Sequence, residues 1–225
     1  MRERTKQVEY FDGLERTPEE LRGHYAALAR LNRVIRFERP FRFWLPQILG
    51  EVACAKLSFL DLGAADGFLG RQLSAWATER GWDWQFTNLD LCPFTAELDP
   101  NERHVTASVT ALPFPDGSFD VVTASMMTHH LNTDDEVVTH FREAVRVARR
   151  AVLICDLHRN PFFLTGLWLL MQCLDVPREF RRDGATSVRR GWRVPEWQRF
   201  VRQAGLEQAQ VWFEHGTRIL LSVVK

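Results

Sequence analysis

From residue 56 onward, short apolar runs alternate with stretches of helical periodicity, and that rhythm constrains the fold more than any other feature of the chain. Residues 57–62 read as a buried strand ending at Gly63, and 68–80 as a helix. A strand over 83–89 closes on Asp90, and 104–107 reads as a short strand. The turn Pro115-Asp116-Gly117-Ser118 announces a strand over 119–124. Thr133 and Glu136 spell a capping box that opens a helix through Val147. A strand over 151–155, a helix over 162–174 and a helix over 195–204, stopped by Gly205, follow. Residues 209–213 and 218–224 alternate as strands around His215-Gly216, a hairpin signal. Strands alternating with helices specify an α/β fold, a mostly parallel sheet with helices on both faces, and the hairpin adds an antiparallel strand. Such sheets bind ligands at the carboxyl ends of their strands, so the chemistry is sought just after each strand.

Upstream, Thr17-Pro18-Glu19-Glu20 reads as a helix start, and Leu21, Tyr25, Leu28, Leu31 and Ile35 continue at helical spacing. A second helix is expected over 43–52, and the first dozen residues, polar and without periodicity, are expected to be loose. Residues 1–55 are therefore read as a helical N-terminal arm or lid, and 56–225 as the main domain. Apolar residues make up 45% of the chain, charged residues 26%, and the formal net charge is zero. This excludes a disordered chain and argues against a dedicated nucleic-acid binder. The longest apolar stretch, 162–174, is interrupted by Thr165, Gly166 and Gln172. It falls short of the ~20 residues that span a bilayer. No apolar leader is visible, and Cys54, Cys92, Cys155 and Cys173 form no C-x-x-C pair, so reduced thiols in a cytoplasm are expected.

The loop after the first strand reads Asp61-Leu62-Gly63-Ala64-Ala65-Asp66-Gly67-Phe68-Leu69-Gly70. Glycines are needed where backbone turns sharply or nears a ligand, and the N-terminus of the following helix attracts an anionic group. The dinucleotide pattern G-x-G-x-x-G fails, because Ala65 and the bulky Phe68 stand at its second and third glycines. No G-K-[ST] follows, so a P-loop is absent as well. What remains is D-x-G-x-x-x-G, with Asp61 at the strand end. Asn88-Leu89-Asp90 closes the next strand, 23 residues after Gly67, where an acidic residue takes both ribose hydroxyls. Residues 108–122 read S-V-T-A-L-P-F-P-D-G-S-F-D-V-V, and Met127-Thr128-His129-His130-Leu131 follows the fourth strand.

Over residues 56–155 these motifs together resemble the Rossmann-type (class I) S-adenosylmethionine-dependent methyltransferases, of the small-molecule, methyltransferase type 11-like family. The resemblance implies a three-layer Rossmann-like fold with a seven-stranded sheet, S-adenosyl-L-methionine as cofactor, S-adenosyl-L-homocysteine as product, and no metal. It implies that Asp61 orients the loop and faces the cofactor's amino end. Gly63, Ala64, Gly67 and Phe68 would cradle the methionine part, Asp90 would hold the ribose, and Leu91 would pack on the adenine. Ser108 and Val109 would read the adenine edge, and Ser125 with Met126 would close the site near the sulfonium. Two positions depart from the family pattern. Ala65 replaces its middle glycine, and Ser108, a neutral and weaker partner, replaces its adenine-side aspartate.

Methyl transfer is an in-line displacement at an activated sulfonium, so the protein has to align the nucleophile and exclude water. A hydroxyl nucleophile also benefits from a base. His129 and His130 after the fourth strand, with Asp156 after the fifth, supply a base and its orienter. In the plainer reading the two histidines only pack and cap the next helix. His158 and Arg159 also follow the fifth strand and are candidate acceptor contacts. The Asn-Pro-Pro-[Tyr/Phe] pattern of base-amine methyltransferases is missing where Ser125-Met126-Met127-Thr128 stands, and a methionine pair suits an apolar acceptor.

The helix over 162–174 is apolar nearly all round, and Trp168 and Met171 are candidates to wall a greasy pocket, unless they face the core or a membrane surface. Residues 176–193 carry six arginines against Glu179 and Asp183. They are read as an arginine-rich loop in an acceptor-lid insertion over 160–193, with three readings open: a solvated loop, a lid in which Arg189, Arg190 and Trp192 hold an acidic or phenolate acceptor, or an RNA-facing patch. The expected function is methyl transfer to a small, apolar aromatic acceptor, such as a polyketide-like phenol or quinone precursor, with O-methylation favoured over C-methylation. A monomer or homodimer without nucleic acid and with at most peripheral membrane contact is expected. An RNA or protein methyltransferase and a cofactor-binding relative without activity are the competing readings.

Overall fold

The computed structural model describes residues 1, 3–12, 16–98, 101–174 and 176–225. The sheet comprises β1 (Lys56–Leu62), β2 (Asp83–Asp90), β3 (His104–Thr106), β4 (Phe119–Ser125), β5 (Ala148–Leu157), β6 (Gln210–Glu214) and β7 (Arg218–Val224). Its seven strands run in the order β3-β2-β1-β4-β5-β7-β6. β7 pairs antiparallel with β5 and β6, and the remaining pairs are parallel. The carboxyl ends of β1, β2, β4 and β5 therefore share one edge, as a Rossmann-like methyltransferase fold requires. β1 and β4 are buried along most of their length because helices cover both faces of the sheet.

The helices are α1 (Pro18–Val34), α2 (Arg39–Leu49), α3 (Phe68–Thr78), α4 (Thr95–Leu98), α5 (Asp134–Val147), α6 (Pro161–Cys173), α7 (Arg178–Arg190) and α8 (Val194–Ala204). Alternate residues of each strand feed two cores. Leu60, Val122 and Ile154 pack with Phe141 of α5 and with Trp197 and Phe200 of α8. Phe59, Val121 and Leu153 pack with Phe41 and Leu45 of α2 and Leu73 of α3. A third, smaller cluster joins Leu31 of α1, Leu167 and Met171 of α6, and Phe180 and Val188 of α7 to Leu157. Both expected capping boxes form, at Thr17 and Thr133. Gly205 ends α8 in the left-handed region, with φ 73°. His215 and Gly216, at the centre of the three-residue connection between β6 and β7, both have positive φ, 43° and 76°, as a tight hairpin turn demands.

Three expectations are corrected. The second helix starts at Arg39, with Pro40 in its first turn where a missing N–H costs nothing, and passes into a 3₁₀ turn over Gly50–Cys54. The arginine-rich stretch is no loop, because Arg178–Arg190 is a helix. Its buried side mixes Phe180, Ala185 and Val188 with Asp183 and Arg190, so its apolar stripe is too thin to see in the sequence. The first residues are not loose either: Arg2 lies outside the described residues, but 3–12 form a strap tied down by polar contacts. The amides of Tyr10 and Phe11 donate to Asp183 at 2.8 and 3.0 Å. Arg4 donates to the carbonyls of Arg190, His129 and Leu131 at 2.6, 2.5 and 2.6 Å. Among the described residues, no helix is long and apolar enough to cross a membrane.

Candidate active site

The parallel register sets Asp61 of β1 beside Asn88 of β2 and Thr123 of β4. The Thr123 hydroxyl donates to Asp61 at 2.8 Å. Burial pushes the Asp61 carboxyl up to about 7, against the pull of that bond. The loop after β1 is pinned to β2: the amides of Gly63 and Ala64 donate to the Leu89 carbonyl at 2.8 and 3.0 Å. Asp90 ties two loops together, accepting from the amides of Ala65 and Cys92, each at 2.9 Å. Burial holds its carboxyl above the usual range despite those bonds. Each oxygen keeps a lone pair for a further donor.

Gly63, Ala65 and Gly67 all have positive φ, at 66°, 51° and 73°. A Cβ on Gly63 would lie 2.2 Å from Cγ of Met127, and one on Gly67 would lie 2.1 Å from Oε2 of Glu102. A side chain at either position would strain the left-handed backbone and force Met127 or Glu102 to shift. Sequence reasoning missed the network behind the loop. Glu102 accepts from Arg71 at 3.0 Å and from Asn88, while Arg71 also binds Asp66 at 2.9 Å. No local motif marks these residues, because they meet only through the β2–β3 crossover.

The other expected cofactor contacts surround this loop. Leu91 is 72% exposed beside Asp90. Val109 is buried in the core, and the Ser108 hydroxyl closes a turn with Thr110 at 2.8 Å. Ala64 and Phe68 are buried against the loop. Ser125 at the end of β4 is buried, and its hydroxyl has no hydrogen-bond partner. Met126 turns the chain there with φ 54°, its amide donating to the Cys155 carbonyl at 2.9 Å. Tyr25 of α1 is held well above the usual phenol range by burial and by Asp90 and Cys92, which places the arm over this edge. A carboxylate with spare lone pairs, an exposed leucine next to it, an orphaned hydroxyl and a positive-φ loop form a set that fits S-adenosylmethionine.

Beyond β4, residues 128–130 make one 3₁₀ turn that brings His129 onto the end of β5. Nδ1 of His129 lies 2.7 Å from Oδ1 of Asp156, and the His129 amide donates to Oδ2, also at 2.7 Å. The Leu157 amide donates to Oδ1 at 2.6 Å. Burial works to raise the Asp156 carboxyl, but His129 and these amides hold it below the ordinary range. Asp156 therefore fixes the His129 ring, and a protonated Nδ1 leaves Nε2 as the free lone pair. Nε2 faces Glu9 of the strap, 3.6 Å from its Oε1. Nδ1 of His130 lies 2.9 Å from Asp12 of the strap. The surroundings disfavour charge on His130, but Asp12 and Glu9 outweigh them and raise its pKa to about 9. Neither strap carboxylate carries a sequence signal.

The expected acceptor residues do not gather at one point. Arg190 is buried and donates to the carbonyls of His129, His130 and Gln7 at 3.0, 2.7 and 3.0 Å. Trp192 is 4% exposed, with its indole N–H on the Thr128 carbonyl at 3.3 Å and Arg4 over its ring. Arg159 is buried, binding the Gly191 carbonyl at 2.7 Å and Glu196 at 3.0 Å. His158 packs against Phe213, with ring centroids 4.6 Å apart and the planes tilted by 58°. Met171 is buried under Gly184, while Trp168 is half exposed on α6 and Arg189 is exposed on α7. An apolar cleft of about 390 Å³ runs along α6 between Ile35, Phe162, Phe163, Leu170 and Thr217. A second cleft of similar size lies behind the glycine loop, between Gly70, Arg71, Phe86 and Glu102, away from the histidines.

No curated protein matches the chain. Solved structures do match it. A structure from Methanococcus maripaludis, described as an S-adenosyl-L-methionine-dependent methyltransferase, aligns over 100% of this chain and 97% of its own, at 14% identity and TM-score 0.65. A SAM-dependent methyltransferase from Aquifex aeolicus aligns over 92% and 98%, at 16% identity and TM-score 0.56. The plantazolicin methyltransferase BamL, solved with a triazolic desmethylPZN analog and SAH, aligns over 92% and 97%, at 10% identity and TM-score 0.59. At these identities the likeness is one of fold. Residues 60–155, which run from β1 to β5 and carry the loop, Asp90 and both histidines, match the family described as the methyltransferase domain. Residues 60–155 thus match the methyltransferase-domain family, and the chain as a whole shares the fold of S-adenosylmethionine-dependent methyltransferases.

Proposed function

We propose that the chain methylates a hydroxyl of a small, apolar aromatic molecule, a polyketide-like phenol or quinone precursor. The observation that carries this reading is the buried His129–Asp156 pair at the ends of β4 and β5. S-adenosylmethionine supplies the methyl group as an activated sulfonium. Asp90 holds its ribose, Leu91 and Val109 flank its adenine beside Ser108, and Asp61, Gly63, Ala64, Gly67 and Phe68 form the cradle for its amino-acid end. Ser125 and Met126 border the transfer point. Nε2 of His129 takes the hydroxyl proton, and Asp156 stabilises the imidazolium that results. His129 is only 2% exposed, so the acceptor reaches it when the strap over residues 3–12 lifts and is shielded from water when the strap returns.

The apolar cleft along α6 supports an apolar acceptor, and Met126 and Met127 after β4 suit one. The burial of Arg190 among carbonyls supports an anchor rather than an RNA-facing patch. All four cysteines are free, which supports a reducing, cytoplasmic setting. Two measurements test the reading. Calorimetry of Asp90→Ala with S-adenosylmethionine should show affinity lost, and unchanged affinity would remove the ribose assignment. Mass spectrometry of a phenol panel should show products 14 Da heavier, the mass of one CH₂, with His129→Ala slowed by about 10²-fold or more. Products on RNA or protein alone would favour a macromolecular acceptor, and none on any substrate would favour a silent relative.

A further inference from the structure

Under the strap, His129, His130 and Glu9 each offer one ligating atom, and these atoms all lie within 4.8 Å of one another. We propose that they form a binding site for a divalent first-row transition ion of the zinc type. Nδ1 of each histidine lies on a carboxylate: Nδ1 of His129 on Asp156 at 2.7 Å and Nδ1 of His130 on Asp12 at 2.9 Å. That arrangement fixes the tautomer and leaves Nε2 as the electron-pair donor, as the outer carboxylates of metal-bound histidines do. Glu9 is 8% exposed, and its Oε1 makes no hydrogen bond. A buried carboxylate oxygen without a donor is costly unless a cation meets it.

The spacing suits an ion. Metal bonds of about 2.0–2.2 Å in a tetrahedron set the ligand atoms about 3.4 Å apart. Glu9 Oε1 and His129 Nε2 are already at 3.6 Å. The widest gap, at most 4.8 Å, needs to close by no more than about 1.4 Å. Arg4 and Arg190 donate to the carbonyls of these same histidines, which holds the backbone that carries both ligands. Two imidazoles and one carboxylate are the donor set of catalytic zinc, and they leave a fourth position open.

This inference rests on the reading that the acceptor hydroxyl meets Nε2 of His129, and it replaces the base there by a Lewis acid. The hydroxyl oxygen takes the fourth position and sheds its proton to water. Its lone pair then forms the O–CH₃ bond while the S–CH₃ bond breaks, the electron pair staying on sulfur, so that neutral S-adenosylhomocysteine leaves.

The test uses the full chain, stripped with a chelator and then titrated with Zn²⁺ or Co²⁺ alone. The expected result is one ion per chain by elemental analysis, with intense visible Co²⁺ bands of a four-coordinate site. Glu9→Gln and His130→Ala should each weaken binding about tenfold or more, with circular dichroism unchanged, while His215→Ala, on the exposed hairpin, should not. Failure to bind one equivalent, or binding that survives Glu9→Gln and His129→Ala, would overturn the proposal. So would a stripped protein that methylates at full rate yet still needs His129, an outcome that leaves the base reading standing. Stoichiometric binding through these residues without methyl transfer to any phenol would uphold the ion and remove the acceptor reading.

Discussion

Asp156→Asn keeps the shape of the side chain and changes one oxygen into a donor, so its cost can be worked from the hydrogen bonds. Three N–H groups converge on the two oxygens of Asp156: the His129 amide on Oδ2, and the His129 ring and the Leu157 amide on Oδ1. If the asparagine N–H₂ takes the Oδ2 place, it confronts the His129 amide, and the ring keeps its tautomer. If it takes the Oδ1 place, it confronts the Leu157 amide, and the ring can answer only by moving its proton to Nε2. Either way one buried backbone donor loses its acceptor, at about 1–3 kcal/mol. Urea unfolding should read that loss as a lower midpoint at unchanged slope. The second orientation also removes the Nε2 lone pair, and with it either proton acceptance or metal ligation. Methyl transfer should then fall by about 10²- to 10⁴-fold. A variant within about 0.5 kcal/mol of the parent would refute the accounting, and parental turnover would refute the second orientation.

Gly63→Ala should lose about 2–5 kcal/mol, the left-handed strain plus the collision with Met127. Gly117→Ala, equally left-handed but with nothing within 4 Å, should lose only about 1–2 kcal/mol, and equal losses in denaturant melts would contradict this. His140 is fully buried, and burial lowers its pKa to about 4, so the unfolded chain binds its proton first as pH falls below the ordinary value of 6.5. Its contribution to stability is intact above that value and is lost toward pH 4, by about 2 kcal/mol between pH 7 and pH 5. His140→Leu should flatten the pH dependence of unfolding by that amount, and an unchanged slope would show that His140 is not the acid-sensitive group. Arg190→Lys cannot reach three carbonyls from one ammonium, so it should cost about 2–4 kcal/mol and expose residues 3–12 to limited proteolysis. A strap cleaved no faster than in the parent would show that it is held elsewhere.

What was legible in the sequence was what local physics decides. Apolar runs closed by Gly63, Asp90 and Gly205, and two Thr-to-Glu capping boxes, punctuate elements without help from the rest of the chain. The placement of His129 near Asp156 was legible too, because neighbouring parallel strands must present their ends together. α7 was not legible. Its buried Asp183 and Arg190 read as solvent-facing charges until residues 7–11 of the strap, more than 170 positions away, supply the donors and acceptors that let them be buried. Glu9 and Asp12 were illegible for the same reason: a carboxylate in a polar leader has no pattern, and it gains a role only from the histidine it meets. Apart from the Glu102 network behind the glycine loop, the parts that the sequence hid are not scattered. They are the two sides of one contact, strap on one side and α7 with the histidine turn on the other. Whether Nε2 of His129 meets a proton, an ion or solvent is decided at that contact, so the chemistry of this site depends on long-range pairing of charges more than on the motif that announces it.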